Sequence, residues 1–270
     1  MITFPTGIQV PSFGQGTWNM GDSPAARDAE LDAIRTGIDL GLTVIDTAEM
    51  YGNGRSEELV GEAIGGLRDD VFLVSKVLPS NASKKGTVEA CHASLRRLKT
   101  DRLDLYLLHW RGRYPLDETV AAFETLVADG SIAAWGVSNL DTDELAQLPP
   151  GCQTDQVLYN LTRRGPEFDL LPWAASVRMP VMAYSPVEQG RLIGDSALAD
   201  IARSLDATPA QVALAWTLRS GSVLAIPKAS TASHVRENAA ARDLRLSDAD
   251  LERLDRAFPP PTRAVPLEML

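Results

Sequence analysis

The chain has few residues of the kinds that build covalent cross-links or metal centres. Its 270 residues include two cysteines, Cys91 and Cys152, and three histidines, His92, His109 and His234. The cysteines do not form a CxxC motif and the histidines are scattered along the sequence. We therefore expect neither a disulfide framework nor a zinc site, and no metal in the functional site.

Long apolar runs and an excess of positive charge are also missing. No apolar stretch approaches the roughly 18 residues that a transmembrane helix needs, and residues 1–15 lack the basic and apolar regions of a signal peptide. The formal net charge is -10, which argues against nucleic acid or an anionic membrane as the main partner. These features predict a cytoplasmic protein, and the acidic surface without an obvious apolar patch favours a monomer.

Short apolar runs alternate with helical patterns along most of the chain. Eight runs have the length and composition of buried strands: residues 13–16, 42–45, 71–75, 103–108, 133–137, 155–158, 181–183 and 223–226. Strands that alternate with helices indicate an α/β fold with a parallel sheet. Eight such units predict a (β/α)8 TIM barrel, with an open doubly wound sheet as the competing architecture.

Apolar residues at helical spacing predict the segments between the strands. The predicted helices are 28–40, 56–64 with Ser56 as N-cap, 87–98, 116–128, 142–148 and 209–218. Two extra helices, 197–205 and 248–257, break the regular alternation. Residues 1–12 are expected to form a short N-terminal hairpin and residues 259–270 a C-terminal tail, so that residues 1–270 form one barrel domain.

Four side chains with acid–base chemistry follow predicted strands: Asp46, Tyr51, Lys76 and His109. The carboxyl ends of the strands in such a barrel open to one mouth, where the chemistry of these folds takes place. Each residue alone has a structural explanation, as a loop cap, a half-buried ring, a surface lysine or a core histidine. The coincidence of all four at one mouth favours a catalytic group that protonates a carbonyl oxygen.

The four residue types fit the reduction of a carbonyl group by a nicotinamide. Hydride is delivered to carbon, and the developing oxyanion needs a proton. A free phenol, with a pKa of about 10, is a reluctant acid, and a nearby ammonium group should lower that pKa. Our hypothesis assigns Tyr51 as the general acid, Lys76 as the group that tunes it, Asp46 as the partner that orients Lys76, and His109 as the group that positions the substrate.

The common nucleotide-binding motifs are absent. Gly14 and Gly16 lack the third glycine of a dinucleotide fingerprint, since position 19 is Asn19, and there is no Walker A sequence. A bound nucleotide must therefore be held in another way.

Several motifs together resemble those of the aldo-keto reductases. Residues 46–61 resemble the family signature, in which an aspartate and a tyrosine five residues apart follow the second strand. Residues 73–76 resemble its third strand and lysine, and residues 105–109 its fourth strand and histidine. Further similarities are at 135–139, 156, 184–186, 226–228 and 237–238, and the likeness is greatest to short bacterial members that reduce methylglyoxal. The resemblance implies a (β/α)8 barrel that reduces small aldehydes and ketones to alcohols with NADPH.

The resemblance also implies which residues bind the cofactor. Ser138, Asn139 and Gln156 would hydrogen-bond the nicotinamide carboxamide, and Tyr184 would stack on its ring. Ser185, Pro186, Gly190, Arg191 and Leu192 resemble the loop that covers the pyrophosphate. The remaining implied contacts are with Ile226, Lys228, Ala229, Ser230, His234, Glu237 and Asn238.

The adenosine end departs from the family pattern. The family often has a serine after the lysine and an arginine six positions beyond it, where this chain has Ala229 and His234. Lys228 still offers a point charge for a 2′-phosphate. We therefore expect NADPH to be preferred, with NADH as a weaker alternative and a smaller preference than an arginine would give.

The substrate pocket is expected to be lined by Trp18 and Trp110 beside Tyr51 and His109. Short loops predict an open site with broad selectivity, to which Arg111 or Arg113 could attract an acidic substrate. Two other functions stay open: a nucleotide-sensing auxiliary subunit with little turnover, and a redox isomerase or dehydrogenase acting on a sugar or steroid.

Overall fold

The computed structural model describes residues 1–270 and contains one sheet of eight parallel strands. An antiparallel hairpin of β1 (Ile2–Thr3) and β2 (Gln9–Val10) precedes it. All eight predicted strands are present, with ends displaced by up to three residues: β3 (Gln15–Gly16), β4 (Val44–Asp46), β5 (Phe72–Val77), β6 (Leu105–Leu108), β7 (Trp135–Ser138), β8 (Cys152–Leu158), β9 (Val181–Tyr184) and β10 (Val223–Ala225).

The first and last strands of the sheet meet and close it into a barrel. The strands follow one another in chain order from β3 to β10. Across the seam, Gly14 N–H donates to the Ala225 carbonyl at 2.9 Å, and Gly16 N–H donates to the Pro227 carbonyl at 3.0 Å. A Cβ on Gly16 would lie 2.7 Å from the Ile226 carbonyl oxygen, so a side chain would push the seam apart. The fold is therefore the predicted (β/α)8 barrel and not an open doubly wound sheet.

Ten α-helices surround the sheet: α1 (Arg27–Asp39), α2 (Arg55–Ala63), α3 (Lys84–Leu98), α4 (Leu116–Ala128), α5 (Thr142–Leu145), α6 (Leu170–Ser176), α7 (Ser196–Ser204), α8 (Pro209–Leu218), α9 (Ala232–Ala240) and α10 (Asp248–Ala257). The two predicted extra helices are α7 and α10. Two helices escaped prediction: α6 is only two turns long and contains a proline, and α9 buries only two apolar residues. None of the helices is long and apolar enough to cross a membrane.

The start of α2 differs from the prediction. Its N-cap is Gly54, at a φ of 89° that a residue with a side chain rarely adopts. Ser56 lies inside the first turn, where its Oγ donates to the Thr17 carbonyl at 3.0 Å. The prediction of Ser56 as N-cap is therefore wrong, because a left-handed glycine starts the helix and the serine joins α2 to the loop after β3.

The N-terminal hairpin closes one end of the barrel. Ile2 and Phe4 pack in the same buried cluster as Val44, Val74 and Leu107, whose side chains point into the barrel from β4, β5 and β6. This end is filled with apolar side chains, so the opposite end is the one available for a site. That the whole chain forms a single domain stays a prediction.

The alternation of side chains along each strand carries polar groups to that opposite end. Side chains two residues apart on a strand share a face. Asp46, Lys76 and His109 each stand two residues beyond an inward-pointing apolar residue of β4, β5 or β6. Ser138 and Tyr184 are the last residues of β7 and β9, and Gln156 lies two residues before the end of β8. The barrel mouth is therefore ringed by polar side chains.

Candidate active site

A buried ion pair lies at the centre of the barrel mouth. Lys76 is fully buried, and its Nζ donates to Asp46 Oδ2 at 2.7 Å, to the Thr47 carbonyl at 2.9 Å and to Tyr51 Oη at 3.1 Å. The other Asp46 oxygen accepts a bond of 2.8 Å from Gln156 Nε2. Burial alone lowers the pKa of Lys76, but the Asp46 carboxylate and the Tyr51 oxygen outweigh it and the net shift is upward. The amine is therefore charged at neutral pH.

Tyr51 stands in a short helical turn beyond β4 and lines the cavity at the mouth. Burial raises the pKa of Tyr51, and the Asp46 carboxylate adds to this effect. Lys76 lowers the pKa, as the sequence suggested, but burial outweighs it and the net shift is upward. The lowering by Lys76 is therefore present, but it does not decide the net shift of the Tyr51 pKa. The phenol is protonated at neutral pH, which is the form that a proton donor requires.

His109 follows β6 directly and faces Tyr51 edge-on, with the two ring centroids 5.8 Å apart. Burial, together with the charge of Lys76, lowers the pKa of His109 to about 2. The ring is therefore a neutral imidazole at physiological pH. Its Nδ1 is buried without a hydrogen-bond partner, and the ring lines the cavity. A neutral imidazole carries one N–H and can donate one hydrogen bond to a carbonyl oxygen.

The free energy of unfolding is expected to fall by about 2 kcal/mol between pH 7 and pH 5 because of the low pKa of His109. Its pKa in the folded protein, about 2, lies below its ordinary value of 6.5. Between these values the unfolded chain binds the extra proton, so stability is present above pH 6.5 and is lost as the pH falls below it. Urea unfolding at both pH values measures the loss. In His109→Gln the loss of unfolding free energy between the two pH values should be smaller by about 2 kcal/mol. In His92→Gln, which replaces an exposed ring, the loss should be the same as in the wild type. Equal losses in the two variants would refute the argument.

The residues expected at the nicotinamide form one connected group beside the ion pair. Asn139 follows β7 with a left-handed φ of 59°, and its Nδ2 donates to Ser138 Oγ at 3.0 Å and to the His109 carbonyl at 3.1 Å. Tyr184 Oη donates to Asn139 Oδ1 at 3.0 Å. These bonds tie the ends of β6, β7 and β9 together and fix the orientation of the Asn139 amide.

A cavity of about 660 Å³ extends from these residues across the mouth. Most of the predicted site residues line it: Trp18, Asp46, Tyr51, His109, Trp110, Ser138, Asn139, Gln156, Tyr184, Ser185, Pro186, Gly190, Ile226, Lys228, His234, Glu237 and Asn238. Lys76 is buried behind this wall and reaches it through Tyr51. The structure thus gathers side chains that are far apart in sequence around one space.

Four residues of the predicted cofactor set lie outside the cavity wall. The guanidinium of Arg191 pairs with Glu188 at 3.3 Å, and the Leu192 side chain packs in the hydrophobic core. Ala229 packs against another core cluster, and Ser230 is partly exposed beside it. The side chains of Arg191, Leu192 and Ala229 are therefore engaged elsewhere, and their assignment to the cofactor stays a prediction.

Several residues of the cavity wall were not predicted from the sequence. Met50, Met269 and Leu270 form an exposed apolar rim together with the predicted Trp18, and the other missed wall residues are Gly16, Thr17, Asn19, Val187, Gln189, Ile193 and Ala210. Asn19 could have been inferred from its place after a strand. No local signal marks the tail residues, which reach the mouth only through folding. The tail forms part of the wall, so the site is less open than short loops suggested.

The two arginines considered for an acidic substrate are engaged away from the cavity. Arg111 pairs with Glu144 at 2.7 Å. The Arg113 guanidinium stacks 5.1 Å from the centre of the Tyr114 ring. Neither lines the cavity, so a special attraction for acidic substrates has no support at this mouth.

The far end of the cavity favours an anion. Lys228 is exposed and forms no ion pair in the structure, in which 17 ion pairs are present. It precedes α9, whose N-cap Thr231 accepts from His234 N–H at 3.4 Å. The free N–H groups at the start of a helix, together with a nearby ammonium, form an environment that suits phosphate.

The barrel and the polar group at its mouth define a class of carbonyl-reducing oxidoreductases, and comparison with known proteins agrees. Residues 12–258 match the model of the Aldo/keto reductase family. The chain belongs to this family.

Individual relatives span nearly the full chain. It is 52% identical to methylglyoxal reductase YeaE of Escherichia coli K12, over 100% of this chain and 99% of that protein. It is 34% identical to the glyoxal reductase of Bacillus subtilis 168, over 94% and 91% of the two chains. The solved structure of the Klebsiella pneumoniae aldo/keto reductase in complex with NADP and acetate superposes with a TM-score of 0.97 at 53% identity, over 100% and 99% of the chains.

Proposed function

We propose that this protein reduces small aldehydes and ketones to alcohols with NADPH. The observation that carries the proposal is the position of the Tyr51 hydroxyl, which lies 3.1 Å from Lys76 Nζ while its ring stands edge-on to His109 at the cavity wall. The similarity to a methylglyoxal reductase and to an NADP complex supports it. A monomeric state and a cytoplasmic location stay predictions.

The cavity has the donor groups that NADPH needs. At one end, the Asn139 and Gln156 amides and the Ser138 hydroxyl suit a carboxamide, and the Tyr184 ring offers a face for stacking. At the other end, Lys228 stands at the start of α9, where a 2′-phosphate would be stabilised. When bound, NADPH supplies the hydride.

The protein's own groups handle the proton. His109 donates a hydrogen bond that orients the substrate carbonyl oxygen, and Tyr51 Oη transfers its proton to that oxygen as negative charge develops there. Lys76 stabilises the phenolate that remains. Asp46 holds Lys76 charged and in place through the 2.7 Å ion pair. Gln156 fixes the other oxygen of Asp46 and so links the cofactor end of the cavity to the proton donor.

The wall at the substrate end suits a small neutral carbonyl compound. Trp18, Met50, Met269 and Leu270 are apolar and partly exposed there, and Trp110 packs 4.8 Å from the His109 ring. Apolar walls with a few convergent polar groups are typical of small-molecule sites. Methylglyoxal is the first candidate substrate.

Lys228→Ala is expected to raise the KM for NADPH by about tenfold and to leave the KM for NADH nearly unchanged, because only NADPH carries the 2′-phosphate that the ammonium would face. Steady-state rates with each cofactor at a fixed aldehyde concentration measure both constants. Arg236→Ala serves as the control, because it removes a cation that lies within α9 and does not line the cavity. Equal increases with the two cofactors would show that Lys228 does not read the 2′-phosphate.

The proposal is tested by measuring NADPH oxidation with the purified protein and a panel of small aldehydes, beginning with methylglyoxal and a nitrobenzaldehyde. NADPH binding is titrated separately by fluorescence. We expect binding and turnover together. Binding without turnover on any member of the panel would contradict a reductase and favour a sensor.

A further inference from the structure

Three charged side chains from separate segments connect the two halves of the cavity wall. Glu188 lies in the loop after β9, here called the cofactor loop (residues 185–194). Arg163 lies in the loop after β8, and Glu268 lies in the tail. Arg163 Nη2 and Nε both contact Glu188 Oε1, at 2.8 and 3.1 Å, and Nη1 donates to Glu268 Oε1. A single guanidinium therefore holds both segments.

The cofactor loop has a backbone that needs support. Ser185, Glu188 and Gln189 all have left-handed φ values between 49° and 55°, which are unfavourable for residues with side chains. Such conformations persist where surrounding contacts over-determine them. Asn160 Nδ2 supplies one support, with bonds of 2.7 Å to Glu188 Oε2 and 2.9 Å to the Ser185 carbonyl. Arg163 supplies another, on a Glu188 side chain that is only 6% exposed, and Arg191 adds a longer contact of 3.3 Å to the same carboxylate oxygen.

The tail depends on few polar contacts to stay over the mouth. The Leu267 N–H donates to Asp141 Oδ1 at 3.2 Å, and Glu268 pairs with Arg163. Met269 and Leu270 follow directly and line the cavity. The pair therefore anchors the chain directly before these two wall residues, beside the packing of Leu267 against the hydrophobic core.

We propose that Arg163 is a positioning residue that joins the cofactor loop to the substrate wall, so that one side chain sets the geometry at both ends of the site. Arg163 does not line the cavity at the cofactor end or at the substrate end. It acts through Glu188 on the loop and through Glu268 on the tail. The inference rests on the proposed function for its kinetic readout, and binding and exchange measurements test it independently.

Glu268→Gln releases the tail alone. We expect the carbonyl KM to rise about three- to fivefold, as for loss of a partly exposed ion pair, while the Kd for NADPH changes by less than about twofold. Arg163→Met releases both segments and leaves the buried Glu188 carboxylate with only the longer pair to Arg191 and the bond from Asn160. It should raise the carbonyl KM by the same factor and also raise the Kd for NADPH by about tenfold. Arg163→Lys keeps the positive charge but not the several N–H groups of the guanidinium. Its carbonyl KM and its Kd for NADPH should therefore lie between those of the wild type and of Arg163→Met.

The decisive comparison is the double variant. If Glu268 acts through Arg163, then Glu268→Gln adds nothing to the carbonyl KM of Arg163→Met. Arg203→Gln breaks a similar surface pair with Asp200 on α7, away from the cavity, and should change none of these constants. Thermal unfolding shows that each variant is folded before it is compared.

Hydrogen exchange of residues 262–270 provides a readout besides activity. It should speed up in Glu268→Gln and Arg163→Met but not in Arg203→Gln. Multiplicative effects in the double variant, or a Glu268→Gln protein that behaves like Arg203→Gln, would overturn the proposal. If the wild type turned over no carbonyl compound, the proposed function would fail, and NADPH binding with tail exchange would still decide the role of Arg163.

Discussion

Tyr51→Phe is expected to lower kcat for carbonyl reduction by a factor of about 10² to 10⁴, the range for loss of a positioned general acid. The Kd for NADPH should change little, because the hydroxyl bonds only to Lys76 in the structure. The ring itself, its edge-on contact with His109 and the cavity wall are preserved by Phe. The expected result is therefore a loss confined to kcat, measured by NADPH oxidation and by fluorescence titration of the cofactor.

The matched control is Tyr114→Phe. The Tyr114 hydroxyl accepts a bond from Arg113 at 3.2 Å, and the ring does not line the cavity. The same chemical change at this position should leave both kcat and cofactor binding unaltered. A Tyr51→Phe protein that keeps more than about a tenth of the wild-type kcat would rule out Tyr51 as the proton donor.

Lys76→Met is expected to destabilise the fold by about 3–5 kcal/mol and to abolish turnover, because it leaves the Asp46 carboxylate buried without its charge partner. Asp46 is only 2% exposed, so solvent screens an unpaired charge there poorly. Urea unfolding measures the free-energy change. Lys85→Met, on an exposed lysine paired with Glu89 on α3, is the control and should have no measurable effect.

The double variant Asp46→Asn with Lys76→Met separates stability from catalysis. Removing both charges should restore much of the lost stability, because the cost arises from one unpaired charge. Turnover should stay absent, because no ammonium remains to stabilise the phenolate of Tyr51. Additive losses of stability in the double variant would show that the two residues contribute independently and that the pair is not the unit we describe.

The fold was predictable because its signal is local. The eight barrel strands and most helices carry their own apolar pattern within a few consecutive residues. The catalytic group was predictable for the same reason. Asp46, Lys76 and His109 each lie two positions after an inward-pointing residue of three adjacent strands, so their side chains point to the same side. Locating the strands in the sequence is therefore enough to place the three side chains together.

Features that depend on distant segments could not be predicted from the sequence. The net pKa shift of Tyr51 is upward because burial outweighs Lys76, and burial is known only once the barrel is built. Met269 and Leu270 line the mouth directly after Glu268, which pairs with Arg163 at a separation of 105 positions in the chain. The start of α2 at Gly54 rests on a backbone angle that composition does not reveal.

The central claim is that hydride from NADPH and a proton from Tyr51 convert a small carbonyl compound to an alcohol. Its most direct test is to supply methylglyoxal with NADPH that carries deuterium at both positions of nicotinamide C4, so that the transferred hydride is labelled whichever face is used, and to analyse the product by mass spectrometry and NMR. The account predicts one deuterium on the new carbinol carbon for each NADPH consumed, with product formation nearly lost in Tyr51→Phe. An unlabelled alcohol, or a protein that binds NADPH and forms no alcohol from methylglyoxal or any other aldehyde tested, would contradict it.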